Sequence, residues 1–231
     1  MIGTNLEVFR RFGRAEAFAL QCFPCWPGNP GVYTPLEELP AESRLLYDYN
    51  PDLAMDMLAT EGYPDGFEMD FYCTTDTESM DFAALLQNEW AKIGVTVNIV
   101  AHDYVTYRMY RDTFTYTDSI ICGTQIGNAT GSILNLFKTG GWLNYSQYSN
   151  ERIDELCVLI AAELDPDVQD SYIKEAGVIA LNEVSNIGTY LIPQGYYWWP
   201  WVKNYYGEVS ITDGGFGELI PYIWIDQDLK A

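Results

Sequence analysis

One histidine, His102, is all the imidazole in the chain, so a Ser-His-Asp or Cys-His catalytic arrangement would have to use it, and no G-x-S-x-G elbow accompanies it. Basic residues are scarce too: 12 Lys and Arg stand against 33 Asp and Glu, a formal net charge of -21. That balance argues against nucleic acid or an anionic membrane as partner and suits solubility in salty or extracellular surroundings. No apolar run approaches a membrane span, and the opening Met1-Ile2-Gly3-Thr4-Asn5 has neither the basic flank nor the apolar core of a signal peptide. The expectation is a chain whose signal was removed, or a piece of a longer fold. Cysteines number five. Cys22-Phe23-Pro24-Cys25 has redox or half-zinc spacing, but without a second CxxC it reads as a local disulfide in an exported protein or as two buried thiols. Asp165-Pro166-Asp167 with Asp170 lacks the glycine and glutamate of a calcium loop and reads as an acidic helix start. No catalytic set, metal site or cofactor is therefore expected. Paired carboxylates remain open, because 33 acidic residues supply many accidental pairs.

What is present is the material of a globular α/β chain: 231 residues, 48% hydrophobic, enough for a sizeable core. The clearest local signals lie in residues 49–100. Asn50 can cap a helix with Pro51 in its first turn, and Leu53, Ala54, Met57 and Leu58 form its apolar stripe up to Gly62. After the Pro64-Asp65-Gly66 turn, Phe67, Met69, Phe71 and Cys73 alternate with Glu68, Asp70 and Tyr72, which predicts a half-buried strand. Thr75 and Glu78 have capping-box spacing, and Phe82, Leu86, Trp90 and Ile93 share one helix face before Gly94. Val95, Val97 and Ile99 then point inward from a second strand. Strand, helix, strand at this spacing predicts a βαβ unit with parallel strands.

Around this core the signals are shorter. Residues 4–12 predict a short helix whose apolar Leu6, Val8, Phe9 and Phe12 have no evident partner nearby. Five prolines between residues 22 and 41 exclude a long helix there and fix a wrapping segment. Residues 102–112 predict a helix with Val105, Met109 and Tyr110 on one side, and Tyr116 to Cys122 is extended. Ile153, Leu156, Cys157, Ile160 and Leu164 make one helix face. Val168, Tyr172, Ala176 and Ile179 make the next, an antiparallel hairpin broken at Asp165-Pro166. Thr189 to Ile192 and Tyr222 to Ile225 read as strands. The aromatic run Tyr196–Tyr206 serves either as packing or, exposed, as an interaction patch.

Loops at the carboxyl ends of strands in open α/β sheets are where ligands sit. Gly123-Thr124-Gln125-Ile126-Gly127-Asn128-Ala129-Thr130-Gly131 follows such a strand. Its glycines allow close backbone approach, and Thr124, Gln125 and Asn128 offer neutral donors and acceptors. It has no P-loop lysine and no dinucleotide spacing. A second loop, Gly140-Gly141-Trp142-Leu143-Asn144-Tyr145, carries two aromatics suited to stacking on a ligand or to core packing. The candidate binding residues are Gly123, Thr124, Gln125, Asn128, Trp142, Asn144 and Tyr145.

Tyr49-Asn50-Pro51 through Ala54, Leu58 and Gly62-Tyr63, then Trp90-Ala91-Lys92-Ile93-Gly94-Val95, resemble the C-terminal lobe of the family 5 extracellular solute-binding proteins. Tyr33-Thr34-Pro35 before this stretch is similar to the family as well, as are Asn144-Tyr145, Tyr148-Ser149-Asn150 and Asp154-Glu155-Leu156 after it. The resemblance implies an α/β fold with a mixed sheet flanked by helices, one lobe of a type II periplasmic-binding-protein fold. It implies a wrapping segment at 1–48, a ligand-binding lobe at 49–206, and a segment at 207–231 that crosses to a second lobe. It further implies a non-enzymatic substrate-binding component of an ABC importer, taking a peptide or other small solute. Such a component is periplasmic or extracellular, anchored to the membrane in its full-length parent and working with ABC permease subunits. One departure stands out. Many peptide-binding members carry a Trp and then an Asp for the peptide amino group where this chain has Gly123-Thr124-Gln125-Ile126-Gly127-Asn128. A buried cation without its carboxylate is poorly held, so a peptide amino group is not expected to anchor in that loop. The competing expectations are an exported carbohydrate-active hydrolase or carbohydrate-binding module, and a protein-interaction domain using the aromatic run.

Overall fold

Phe9, fully buried in the short helix α1 (Leu6–Phe12), rests on Phe82 with ring centroids 5.0 Å apart. The apolar residues of the first helix thus find partners far along the chain, in the core beneath the sheet. The computed structural model describes residues 1–12, 25–123, 129–190, 197–207 and 219–230. The chain divides into two compact units, Met1–Leu191 and Ile192–Ala231.

In the first unit the proline-rich segment runs through a 3-10 turn at Leu36–Glu38 into α2 (Ala41–Leu45), and Leu39 packs on Leu181. The Asn50 side chain accepts from the Leu53 N–H at 3.0 Å and Pro51 fills the first turn, so α3 (Pro51–Thr60) starts where the sequence predicts. Its inward stripe is narrower than predicted, since Met57 is half exposed. Strand β1 (Phe67–Thr74), helix α4 (Thr77–Ala91) and strand β2 (Val95–His102) follow, and β1 pairs with β2 in parallel from Phe67↔Val95 to Thr74↔His102. The α4 cap is Asp76, which accepts from the Ser79 N–H at 3.0 Å; the predicted capping box on Thr75 does not form, because Asp76 places a stronger acceptor one residue later.

Phe71, Cys73, Val95 and Val97 face Phe82, Ala83 and Leu86 of α4. Each Phe, Val or Leu side chain among them contributes about 1.5–3 kcal/mol when fully buried. The other face of β1 is covered as well: Tyr72 is buried against Tyr110 and Tyr116, with ring centroids at 5.1 and 6.3 Å. Tyr110 belongs to α5 (Tyr104–Asp112), and β3 (Ser119–Ile120) completes a parallel sheet of order β2-β1-β3. Helix α5 sits with a different face inward from the one its apolar spacing predicts. Val105 and Met109 are exposed and Tyr107 is buried, because the tyrosine brings both ring area and a hydroxyl that finds a carbonyl partner.

A second core lies among helices. After α6 (Ala129–Ser132) a π-helical turn, Ile133–Phe137, presents Ile133, Leu136 and Phe137 to α7 (Glu151–Ala162) and α8 (Pro166–Glu183). Asn150, rather than Ser149, caps α7, and Asp165 with Pro166 opens α8 at the predicted break. Ile153, Leu156, Cys157 and Ile160 are buried, but Leu164 is 94% exposed because α7 ends at Ala162. On α8 the buried positions are Ile173, Ala176, Gly177, Ala180 and Leu181, with Tyr172 and Ile179 beside them and Val168 exposed. Cys25, Cys73, Cys122 and Cys157 are free thiols, so Cys25 is a buried thiol rather than half of a disulfide; Cys22 lies outside the described residues. Thr189 and Tyr190 are not in a strand, and Leu191 and Ile192 lie outside the described residues.

In the second unit β4 (Val202–Lys203) pairs antiparallel with β5 (Trp224–Ile225), followed by α9 (Gln227–Lys230). The Trp199 and Trp201 rings stack at 4.7 Å and Trp198 meets Tyr205 edge-on at 4.8 Å. The predicted strand from Tyr222 is shorter, since Ile220–Tyr222 form a 3-10 turn around Pro221. The α/β class stands as expected, with the described strands divided between a parallel sheet and an antiparallel ribbon.

Candidate functional site

The carboxyl end of β3 is held by α5. Asp103 caps that helix, accepting from the N–H groups of Val105 and Thr106 at 3.0 and 3.2 Å, and this sets Tyr107 and Arg111, one turn apart, on the inward face. The Tyr107 hydroxyl donates to the Ile121 carbonyl, just past β3. Burial pushes the Tyr107 phenol up, and nearby Cys122 adds to it. Burial also raises the Cys122 thiol to about 11, so no thiolate nucleophile stands there at neutral pH.

Arg111 joins this strand end to the second loop. Its guanidinium lies 4.6 Å above the Tyr145 ring and 5.8 Å from that of Tyr107, with Nε 2.9 Å from Asp112 Oδ1. Asp112 is shared with Arg108 at 2.8 Å. Burial works to raise the Asp112 carboxyl, but hydrogen bonds from Arg111 and Arg108 outweigh it and hold it low. From the other side the Tyr116 hydroxyl donates to the Tyr145 carbonyl. Two hydroxyls and one stacked cation therefore fix the Tyr145 loop to the strand end, where cation–π contacts contribute about 0.5–2 kcal/mol each.

The predicted residues fall into three groups. Gly123 and Tyr145 are brought to one edge by Tyr107, Tyr116 and Arg111; Gly123 is exposed with open space where a Cβ would stand. Trp142 is on the same loop as Tyr145, 71% exposed and available for stacking. Asn144 is different. It is buried, its amide donates to the carbonyls of Lys138 and Tyr148 at 3.0 and 2.7 Å, and its oxygen accepts from Tyr148 N–H and Ser146 Oγ. That capacity is spent inside the turn, so Asn144 shapes the loop. Thr124, Gln125 and Asn128 lie outside the described residues. Arg111 was not singled out from the sequence; the available signal was its place four residues after Tyr107.

Beyond the loop, a cleft of about 360 Å³ opens between the Gly28–Val32 turn, Ala129 and Thr130 of α6, and Asp170 and Ile173 of α8. Among the described residues no three His, Cys, Asp or Glu side chains are gathered to hold a metal ion, and no helix is long and apolar enough to cross a membrane. The geometry offers concave surface, aromatic faces and single charges, which is equipment for binding.

The sequence model of the bacterial extracellular solute-binding proteins, family 5 (middle region), matches residues 14–142. The chain belongs to this family. Heme-binding protein A of Haemophilus influenzae is 39% identical to the family 5 chain over 67 residues, which is 27% of this chain and 12% of that protein. HbpA2 from Haemophilus parasuis superposes with a TM-score of 0.69 at 20% identity, covering 82% of the chain and 37% of HbpA2. DppA from Helicobacter pylori, solved with the peptide STSA, gives 0.68 at 17% identity, over 81% of the chain and 36% of DppA. At these identities the likeness establishes the fold, that of the type II periplasmic binding proteins. The family 5 chain spans little more than a third of the length of those solved relatives. Family 5 solute-binding proteins are non-catalytic.

Proposed function

We propose that this chain supplies ligand-binding surface to the substrate-binding component of an ABC importer, taking a peptide or other small solute at the carboxyl edge of β1–β3. The observation that carries the reading is the clasp of Arg111 and Tyr116 on Tyr145, with Tyr107 holding the same helix to Ile121, which ties the Tyr145 loop to the carboxyl end of β3. A loop tied down beforehand lowers the ordering cost of binding. Gly123, Trp142 and Tyr145, with Thr124, Gln125 and Asn128 from the intervening loop, are the proposed contacts, and Asn144 supports them. The reading extends to a periplasmic or extracellular location, anchoring to the membrane in the full-length parent, and delivery to permease subunits. The relatives are consistent with varied small cargo: one is named as heme-binding and another was solved with a peptide.

Mass spectrometry of solute released from the purified full-length receptor tests this. A defined small molecule should co-purify with the wild-type receptor and be lost or reduced at least tenfold in a Trp142→Ala, Tyr145→Ala double variant. An unchanged solute load in that variant would place the site elsewhere. By itself the 231-residue chain should show little thermal stabilisation by that solute.

A further inference from the structure

We infer that Gly141 is a positioning residue of the proposed solute site: having no side chain, it lets the second loop seat on the π-helical turn Ile133–Phe137, and that seat sets the direction of Trp142. Its part in solute binding rests on the reading given under the proposed function.

The π-helical turn stops at Lys138, whose backbone is already extended, so its last carbonyls must find partners outside the helix. The loop supplies them. Leu143 N–H donates to Asn135 O at 3.1 Å, and Lys138 O takes both the Gly141 N–H at 2.8 Å and the Asn144 side-chain amide at 3.0 Å. Gly141 lies among these bonds, against the carbonyls they use. A Cβ there would stand 2.5 Å from Asn135 O and 3.0 Å from Lys138 O, and both are main-chain atoms that no side-chain rotation moves aside. Its φ is outside the left-handed region, so space alone demands glycine at this position. Gly140 is the reverse case, with φ 70° and nothing within 4 Å of its Cβ position.

Trp142 projects from between two seated residues. Leu143 turns inward and packs on the helical core, while the indole beside it faces out. Two further ties hold the ends of the stretch. Thr139 N–H donates to Asp154 Oδ1 at 2.8 Å, which joins the exit of the turn to α7, and Tyr145 is held by Arg111 and Tyr116 at the strand edge. The loop therefore spans from the helical core to the carboxyl end of β3, and its one large outward side chain is aimed by the backbone on either side. An alanine at 141 has to lift the loop off the turn by about 1 Å before ordinary contact is restored, past the roughly 0.5 Å within which a binding constellation must be held. The fold survives such a shift more readily than the direction of the indole, because Leu143 is only partly buried.

The test labels the 231-residue chain with 5-fluorotryptophan and assigns Trp142 among its seven tryptophans by Trp142→Phe. In Gly141→Ala the ¹⁹F resonance of Trp142 should move while the other indole resonances hold. In Gly140→Asn, a residue that tolerates positive φ, every resonance should hold. In the full-length receptor Gly141→Ala should lower the co-purifying solute at least tenfold with a melting temperature near that of wild type, and Gly140→Asn should retain it. An unmoved Trp142 resonance in Gly141→Ala, or a moved one with the solute load intact, overturns the assignment. Amide exchange of the wild-type chain decides the matter even where Gly141→Ala does not fold: relative to intrinsic rates, the Leu143 N–H should exchange at least tenfold more slowly than that of Trp142, and equal protection overturns the seat. The outcome is separable from the proposed function. Solute retained by the Trp142→Ala, Tyr145→Ala double variant removes the proposed site, whereas solute lost from it but kept by Gly141→Ala removes the positioning role alone.

Discussion

Asp76 ends one strand and begins the next helix. Its carboxylate accepts from the Thr74 hydroxyl and the Ser79 N–H, and these hydrogen bonds hold its pKa at about 2, below the usual 3.8. The folded-state value is depressed, so the stability it contributes is present above about pH 4 and is lost as pH falls toward 2. Asp76→Ala should cost about 1 kcal/mol at pH 7 by urea unfolding. The gap to wild type should close as the pH is lowered to about 2, and a gap that stays constant would rule out the ionised cap. Arg111→Gln should cost about 1–2 kcal/mol, the stacked cation being lost while Asp112 keeps Arg108. Amide exchange of the Tyr145 loop should then accelerate more than that of α7, because the clasp is local. Asn50 was legible as a cap, and Asp165-Pro166 as a break, because such signals depend on neighbours within three positions. Arg111 was not, because its partner Tyr145 comes from another loop.

At the scale of elements, the βαβ unit was legible almost in full because short-range signals agree there. The glycine turns show how closely that unit is fitted. Gly66 and Gly94 both have positive φ, at 79° and 82°, and a Cβ on Gly66 would meet the Gly94 carbonyl oxygen at 1.8 Å. Gly62 has φ 94° with nothing within 4 Å of its Cβ position. Gly62→Ala should therefore cost only the conformational strain, about 1 kcal/mol, while Gly66→Ala should cost clearly more, about 2–4 kcal/mol. Equal losses in thermal unfolding would show that the backbone contact does not matter. Helix α5 marks the limit of periodicity. Val105 and Met109 made the apolar stripe, but a tyrosine hydroxyl with a carbonyl to reach, and a ring to stack, turned Tyr107 inward instead.

For the whole molecule, -21 net charge means that folding gathers like charges. Moving from about 10 to about 100 mM salt shortens the screening length from roughly 30 to 10 Å. The unfolding midpoint should rise by about 2–4 °C over that range, and a flat or falling midpoint would show that local ion pairs dominate. Charge and composition were fully legible beforehand. The meeting of Gly28–Val32 with α8 was not, since it depends on the packing of Cys25 and Val32 into the helical core. The same holds for the edge of β1. Strand β3 pairs only with Phe71 and Tyr72, which leaves the Phe67–Asp70 side of β1 without a strand neighbour among the described residues. There the Asp118 carboxylate takes the Asp70 N–H at 2.7 Å, and the Thr117 hydroxyl reaches the Asp70 carboxylate at 3.1 Å. A foreign strand approaching that edge meets an amide already engaged and two negative charges, so the parallel sheet carries its own guard against amyloid-like growth.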